Sequence, residues 1–160
     1  MSESHTPRSL DDVLDGIRFA MVATYEAGAL KARPLAVQEV DGSTIRFLVS
    51  TSAEWVRALG TGGSPALLTF AQEKGNTWVA VEGTARELDD RATVARLYDP
   101  VNDAFFDGVD DPQIRVLEVQ VERGEWWDGP SGRLGQALGI LGTKLTGDTK
   151  KAGDQGPVQV

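Results

Sequence analysis

The chain has 160 residues, of which 41% are hydrophobic and 25% are charged; its net charge is −8 and it contains no cysteine. This length allows one domain with one core, and the lack of cysteine excludes disulfides, thiolate nucleophiles and cysteine metal clusters. The negative charge opposes nucleic acid and anionic membranes as partners. Residues 1–15 lack an apolar stretch of signal-peptide length, and no later run reaches the ~20 apolar residues of a membrane span, so we expect a cytoplasmic protein.

The N-terminal part of the chain predicts a flexible start followed by one short helix. Residues 1–8 are polar. Ser9 is followed by Asp11 and Asp12, which is typical of a helix N-cap with acidic residues in the first turn. We expect this helix to end near Gly16.

Two hairpins are predicted next. The extended segments 17–25 and 30–40 flank a turn that contains Gly28. Asp41-Gly42 then precedes a third strand, residues 44–50, and Asp-Gly is a strong signal of a hairpin turn. Thr51 or Ser52 is expected to cap a helix over residues 53–59.

The second half of the chain predicts further antiparallel strands with helices only in the connections. Alternation of apolar residues indicates a core face with Val79, Val81 and Ala85 in one strand, and another with Leu117, Val119 and Val121. We predict, in order, strands 66–71 and 77–88, a helix from Asp89 or Asp90 to Tyr98, an acidic loop 103–112, strand 114–121, a short strand ending at Trp126-Trp127, a helix 130–145 and a polar tail.

This order predicts a mainly β (α+β) fold with six or seven antiparallel strands that form a barrel, short connecting helices and a C-terminal helix. The expected domain organisation is a flexible N-terminus (1–8), one barrel domain (9–146) and a disordered tail (147–160).

Few side chains suggest protein-based catalysis. The only histidine, His5, lies in the polar start, which disfavours a Ser-His nucleophile and a zinc site. Asp107, Asp110 and Asp111 miss the ligand spacing of an EF-hand, and we interpret them as a solvated acidic loop. No catalytic residue and no metal ligand is therefore predicted.

The segment from Arg33 to Gln38 is the most informative candidate for binding. Arg can donate two hydrogen bonds to a phosphate, and Gln can donate and accept as the pyrimidine edge of a flavin requires. The ordinary alternative is an exposed Arg beside the Pro of an edge strand, and composition alone favours that alternative. Trp78, Trp126 and Trp127 likewise offer flat faces for a ring or for packing.

Five short motifs follow one another along the chain: Arg33-Pro34-Leu35-Ala36, Phe47-Leu48-Val49-Ser50-Thr51-Ser52, Val81-Glu82-Gly83, Phe106-Asp107-Gly108 with Asp110-Asp111-Pro112, and Glu125-Trp126-Trp127-Asp128. The general stress protein 26 group has these motifs in the same order, and this chain resembles that group of the pyridoxamine 5'-phosphate oxidase-like FMN-binding split-barrel superfamily over residues 17–147.

The resemblance implies a split barrel that forms a homodimer, with FMN in a groove shared by the two subunits; FAD or a deazaflavin are alternatives. It also implies a flavin-dependent oxidoreductase or flavin carrier. By position, the residues that would contact the flavin are Arg33, Pro34, Leu35, Gln38, Val49, Ser50, Thr51, Arg57, Trp78 and Trp127.

The chain departs from the group at the helix after the third strand. Members of the group carry a Ser-x-Lys there, whereas this helix reads Ser52-Ala53-Glu54-Trp55-Val56-Arg57, without a Lys. Arg57 is the nearest substitute, one position later. The terminal region has no His, which disfavours pyridoxamine-phosphate oxidase activity. A non-enzymatic stress or scaffold dimer that has lost its cofactor remains a further alternative.

Overall fold

The computed structural model describes residues 7–129 and 154–160. Strands dominate these residues, and none of their helices has the length and hydropathy that crossing a membrane requires. The elements in chain order are β1 (Arg8–Ser9), α1 (Leu10–Leu14), β2 (Phe19–Glu26), β3 (Ala29–Ala36), β4 (Glu39–Asp41), β5 (Thr44–Ser50), α2 (Glu54–Leu59), β6 (Ser64–Gln72), β7 (Thr77–Leu88), α3 (Arg91–Leu97), a 3-10 helix (Pro100–Ala104), β8 (Ile114–Asp128) and β9 (Asp154–Gln159).

The strands form a ring of antiparallel pairs. β3 pairs with β2, β2 with β6, β6 with β7, β7 with β8, β8 with β5 and β5 with β4. The ring closes because β3 continues into β4: the Val37 N–H donates to the Arg18 carbonyl and the Gln38 N–H donates to the Arg46 carbonyl, both at 2.9 Å. The predicted mainly β split barrel with short connecting helices is confirmed; the predicted helix 130–145 lies outside the described residues.

The core fills the inside of this ring and follows the predicted alternation. Every second residue of a barrel strand faces inward, so the two predicted apolar faces on β7 and β8 are both buried. The helices α1 and α2 add further apolar side chains to the same core. The largest fully buried side chains are Phe47, Leu10, Ile45, Leu68, Ile114 and Leu117.

Local signals set most of the connections. Ser9 caps α1, as predicted, by accepting a hydrogen bond from the Asp12 N–H at 3.2 Å. Ala27 and Gly28 join β2 to β3 with positive φ at both positions, as a type I′ hairpin turn requires. The cap of α2 differs from the prediction: its N-cap is Ala53, without a side-chain hydrogen bond.

Strand β8 is longer than predicted. The sequence suggested one strand ending at Val121 and a separate short strand before Trp127, whereas β8 continues through both. A register shift opposite Glu82 and Gly83 absorbs the irregularity. At this point β7 and β8 approach so closely that a Cβ atom on Gly83 would overlap the Gln120 carbonyl oxygen.

Short strands form in the described residues nearest to both chain ends. Residues 154–159 form β9, which pairs antiparallel with the end of β8 and parallel with β1. Val158 is buried, and the indole N–H of Trp126 donates to the Pro157 carbonyl at 3.1 Å. Arg8 forms a 2.9 Å ion pair with Asp128. The end of β8 extends past β5, and β9 supplies main-chain partners for that edge.

We predict that Gly83→Ala lowers the free energy of unfolding by about 2–3 kcal/mol, because the added methyl group forces β7 and β8 apart. Urea denaturation followed by fluorescence measures the change. Gly62→Ala is the matched control, since no atom lies within 4 Å of a Cβ atom there, and it should change stability by less than about 0.5 kcal/mol. Equal effects of the two substitutions would contradict the close approach.

Candidate functional site

An open apolar groove of about 420 Å³ lies on the outer surface of the barrel. Register places its central side chains in one row across four strands, since Phe19 of β2, Ala71 of β6, Trp78 of β7 and Trp127 of β8 stand on successive strands. The groove is lined by Phe19, Ala20, Met21, Pro34, Thr69, Phe70, Ala71, Trp78, Val79, Ala80 and Trp127.

Strand alternation decides which tryptophans reach the groove. Trp126 and Trp127 are consecutive in β8 and therefore point to opposite faces. Trp126 is buried in the core, whereas Trp127 stands beside Trp78 on the outer surface. Of the three tryptophans considered in the sequence, two can offer a face to a ligand and one is a core residue.

The groove is part of a larger exposed surface, which we call the outer apolar face. Large apolar side chains on the outside of β2, β3, β6 and β7 have no cover within the described chain, and Phe19 and Trp78 are 64% and 44% exposed. A contiguous exposed apolar patch of this kind marks a binding surface more often than a scattered residue does. The outer apolar face consists of Phe19, Met21, Tyr25, Leu30, Leu67 and Trp78.

Arg33 faces the opposite way from its neighbour Pro34. Pro34 lines the groove, whereas the Arg33 side chain turns to the inner side of β3 and is only 16% exposed. Its guanidinium donates to the Thr24 hydroxyl at 2.7 Å and to Glu26 at 3.2 Å. It also lies over the ring of Trp55, 4.3 Å from the ring centroid.

The surroundings of Arg33 satisfy the guanidinium inside the protein. Burial lowers the pKa of Arg33, and the Glu26 carboxylate opposes that shift. Thr24 is fully buried, so its hydroxyl needs a partner, and Arg33 supplies one. We call Arg33, Thr24, Glu26 and Trp55 the inner arginine cluster.

The segment from the end of β5 to the middle of α2 contains three of the predicted flavin contacts, Ser50, Thr51 and Arg57. The Ser50 hydroxyl lies 2.8 Å from the Ser52 hydroxyl and accepts from the Ser52 N–H at 3.1 Å. The Thr51 N–H donates to the Gln113 carbonyl at 2.9 Å. Arg57 turns back and donates to the Thr51 carbonyl. This local bonding explains why neither Thr51 nor Ser52 caps the helix as predicted.

Three other predicted contacts have mainly structural surroundings. Val49 is buried in the core, and Leu35 packs against this core. Gln38 occupies the junction between β3 and β4, where its N–H bonds the Arg46 carbonyl.

An ion-pair network next to Gln38 ties α3 to the barrel wall. Arg46 donates to Glu39 at 2.6 Å and to Glu118 at 3.0 Å, and Arg96 of α3 binds both oxygens of Glu39. The hydrogen bonds from Arg96 and then Arg46 lower the pKa of Glu39 to about 2. The bond to Glu39 in turn raises the pKa of Arg46.

The ten predicted contacts therefore occupy separate places in the chain. Pro34, Trp78 and Trp127 meet in the groove, whereas Ser50, Thr51 and Arg57 lie at the start of α2 and Arg33 lies inside. Sequence reasoning missed Phe19 and Met21, which line the groove. The available signal was the segment Phe19–Tyr25. Apolar residues occupy both faces of this strand, whereas a strand with one buried face needs them on that face only.

The acidic loop before β8 is held by its own backbone. Asp111 accepts hydrogen bonds from the N–H groups of Asp107 and Gln113. Tyr98 donates to Asp103 at 2.6 Å, and this bond raises the pKa of Tyr98 to about 12. Within residues 7–129 and 154–160, no three acidic or histidine side chains are grouped as metal ligands.

A family model described as pyridoxamine 5'-phosphate oxidase like matches residues 5–151. The chain belongs to this family. The match covers the barrel and the connections that carry both the groove and the inner arginine cluster. No curated protein matches the sequence.

Several solved structures share the fold of this chain. A general stress protein 26 from Jannaschia sp. is 24% identical with a TM-score of 0.73, covering 93% of this chain and 94% of that one. A general stress FMN/FAD binding protein from Xanthomonas citri is 24% identical with a TM-score of 0.67, covering 75% and 86%. A protein related to general stress protein 26 from Clostridium acetobutylicum is 22% identical with a TM-score of 0.64, covering 74% and 84%.

The Glu39 network predicts a pH-dependent contribution to stability. The pKa of Glu39 in the folded protein, about 2, is below its ordinary value of 4.5, so its contribution is fully present above pH 4.5 and is lost as the pH falls towards 2. Because water reaches these side chains, we expect Glu39→Gln to destabilise the protein by only about 1 kcal/mol at pH 7.

Thermal or urea unfolding at pH 7 and at pH 3 tests this expectation, since the difference between wild type and Glu39→Gln should shrink at the lower pH. Asp110→Asn, which removes an exposed carboxylate from the acidic loop, is the control. A Glu39→Gln effect that stays constant with pH would show that the ionised carboxylate is not the source of the stability.

Proposed function

We propose that this protein binds a flavin, with the ring in the Trp78–Trp127 groove, and that it acts as a flavin-dependent oxidoreductase or flavin carrier of the general stress type. The observation that carries the proposal is the groove itself, which is apolar, open and flanked by two indole rings. Membership of the family and the fold shared with an FMN/FAD binding protein of Xanthomonas citri support it.

The groove suits a flat aromatic ring. Its volume of about 420 Å³ lies within the range of ~300–1,000 Å³ typical of small-molecule sites. Trp78 and Trp127 can stack against an isoalloxazine, and Phe19, Met21 and Pro34 can cover its edges. Thr69 is the one hydroxyl in the lining, and it is exposed.

In this proposal a bound flavin supplies the redox chemistry, and the protein supplies binding and exclusion of water. The lining of the groove contains no acidic, basic or histidine side chain. Its residues therefore hold a ring in apolar surroundings rather than transfer protons. This lining also favours electron or hydride transfer over hydrolysis.

We further propose that the working site needs a second copy of the chain. The groove is open to solvent, and the outer apolar face surrounds it. None of Gln38, Ser50, Thr51 and Arg57 lines the groove of their own subunit. A second copy that covers the outer apolar face can bring its polar residues to the ring, which places one flavin between two subunits.

One observation favours a second candidate function. Arg33, the residue that the family resemblance assigns to the phosphate, is already bonded within the inner arginine cluster. A ligand that is recognised only by its ring, such as a deazaflavin, is compatible with this arrangement. A dimer without cofactor is the outcome if no such ring binds.

We expect purified protein to bind FMN and to show a flavin absorbance band together with quenched tryptophan fluorescence. Trp78→Leu should weaken binding about tenfold, because a stacked aromatic pair contributes about 1–1.5 kcal/mol. Fluorescence titration measures both. Phe105→Leu is the matched control, since Phe105 is exposed and lies outside the groove.

The control variant should bind FMN as the wild type does. If none of FMN, FAD and a deazaflavin binds the wild-type protein at 100 μM, the proposal of flavin binding is wrong and the scaffold alternative is favoured.

Leu67→Glu tests the role of a second copy. A carboxylate in the middle of the outer apolar face should convert a dimer to monomers and reduce flavin affinity at least tenfold, although Leu67 does not line the groove. Sedimentation equilibrium and flavin titration are the measurements. Val101→Glu, an equal charge change at an exposed residue of the 3-10 helix, is the control. Full flavin affinity in a monomeric wild type would contradict this proposal.

A further inference from the structure

We infer that the inner arginine cluster makes this protein indifferent to the phosphate of its ligand, so that it selects a ring and binds riboflavin as tightly as FMN. This inference rests on the proposed function, because it specifies the ligand class of the same groove. Trp55 and Glu26 are the residues that determine this specificity.

Both terminal nitrogens of the Arg33 guanidinium are bonded within the protein, and the side chain is only 16% exposed. Its Nη1 donates to the Thr24 hydroxyl at 2.7 Å and to the Val22 carbonyl at 3.4 Å, and its Nη2 donates to Glu26 at 3.2 Å. The ring of Trp55 covers one face of the planar group at 4.3 Å. A phosphate could bind Arg33 only by displacing these partners.

Displacement is unfavourable for electrostatic reasons. The carboxylate of Glu26 is only 22% exposed, and it would remain beside an incoming phosphate of the same charge. Thr24 is fully buried and would lose the partner of its hydroxyl. Both effects act against a phosphate that reaches Arg33 around the edge of β3, the last strand of the sheet path, whereas no residue of the cluster lines the groove that would hold the ring.

Among the described residues, Lys31, which shares Glu26 with the cluster, and Arg57, which lies on the same helix as Trp55, are also engaged. Lys31 forms a 3.3 Å ion pair with the same Glu26. Arg57 donates to the Thr51 carbonyl, and Glu54 adds a negative charge to the first turn of α2. A flavin phosphate near α2 therefore meets a neutral or negative surface.

The test compares riboflavin, FMN and FAD as ligands of the full chain, by fluorescence titration at 50 mM and 500 mM salt. We expect dissociation constants within threefold of one another and little dependence on salt, because phosphate contacts weaken with ionic strength. FMN binding more than tenfold tighter than riboflavin would overturn this inference and leave the proposed function standing. If no flavin binds, the proposed function itself is wrong, and this inference is overturned together with it.

Two variants extend the comparison. Glu26→Gln and Trp55→Leu each remove one partner of Arg33, so each should improve the ratio of FMN to riboflavin affinity about tenfold. Glu122→Gln is the control for the change in charge, since Glu122 is an exposed residue of β8 that accepts a hydrogen bond from Thr84 of β7 and belongs to neither the cluster nor the groove. The ratio is measured within each variant, so a general loss of stability cancels. An unchanged ratio in both variants, with riboflavin still bound, would show that the cluster does not govern phosphate recognition.

Discussion

The barrel depends on the two main-chain hydrogen bonds at Val37 and Gln38. At this point the continuous segment of β3 and β4 stops pairing with β2 and begins to pair with β5. Without this transfer β2 and β3 would be the open edge of a sheet, and β4 and β5 would form a separate hairpin. Closure satisfies the backbone of the wall strands and gives each strand one inner face. Because side chains alternate along a strand, the number of residues between a position and this junction then decides whether its side chain faces the core or the outer surface.

This alternation places neighbouring residues in two environments of opposite character, one inside the barrel and one on its outer surface. On the inner side, Thr24 and Arg33 are polar groups removed from water, and each is satisfied by a partner within the protein. On the outer side, Phe19, Met21 and Trp78 are apolar and exposed. The inner side is therefore complete in one chain, whereas the outer side has apolar surface that only a ligand or another protein surface can cover.

Much of the fold followed from local signals in the sequence. Asp41-Gly42 predicted a hairpin, Ser9 predicted a helix cap, and alternation predicted the buried faces of β7 and β8. The features that were missed depend on distant partners. β9 contains Gly156 and Pro157, which locally disfavour a strand, and it forms because the edge of β8 lies beside it. The continuity of β8 likewise depends on β7, whose Glu82 and Gly83 stand opposite the bulge at Glu122 of β8.

The candidate site could be predicted only as far as residue types. The motif correctly identified Arg33 as a cation on β3, but the availability of that charge depends on the register of a hairpin. The two-residue turn at Ala27 and Gly28 places Arg33 opposite Val22, within reach of Thr24 and Glu26 on the same inner side.

A turn longer by one residue would exchange the two faces of β3, so that the side chain of Arg33 would face the groove and that of Pro34 would face the core. The length of one turn thus decides whether this surface offers a charge or a ring-binding face to its ligand. The chemistry of a motif follows from its sequence, but its accessibility follows from the strand that lies beside it.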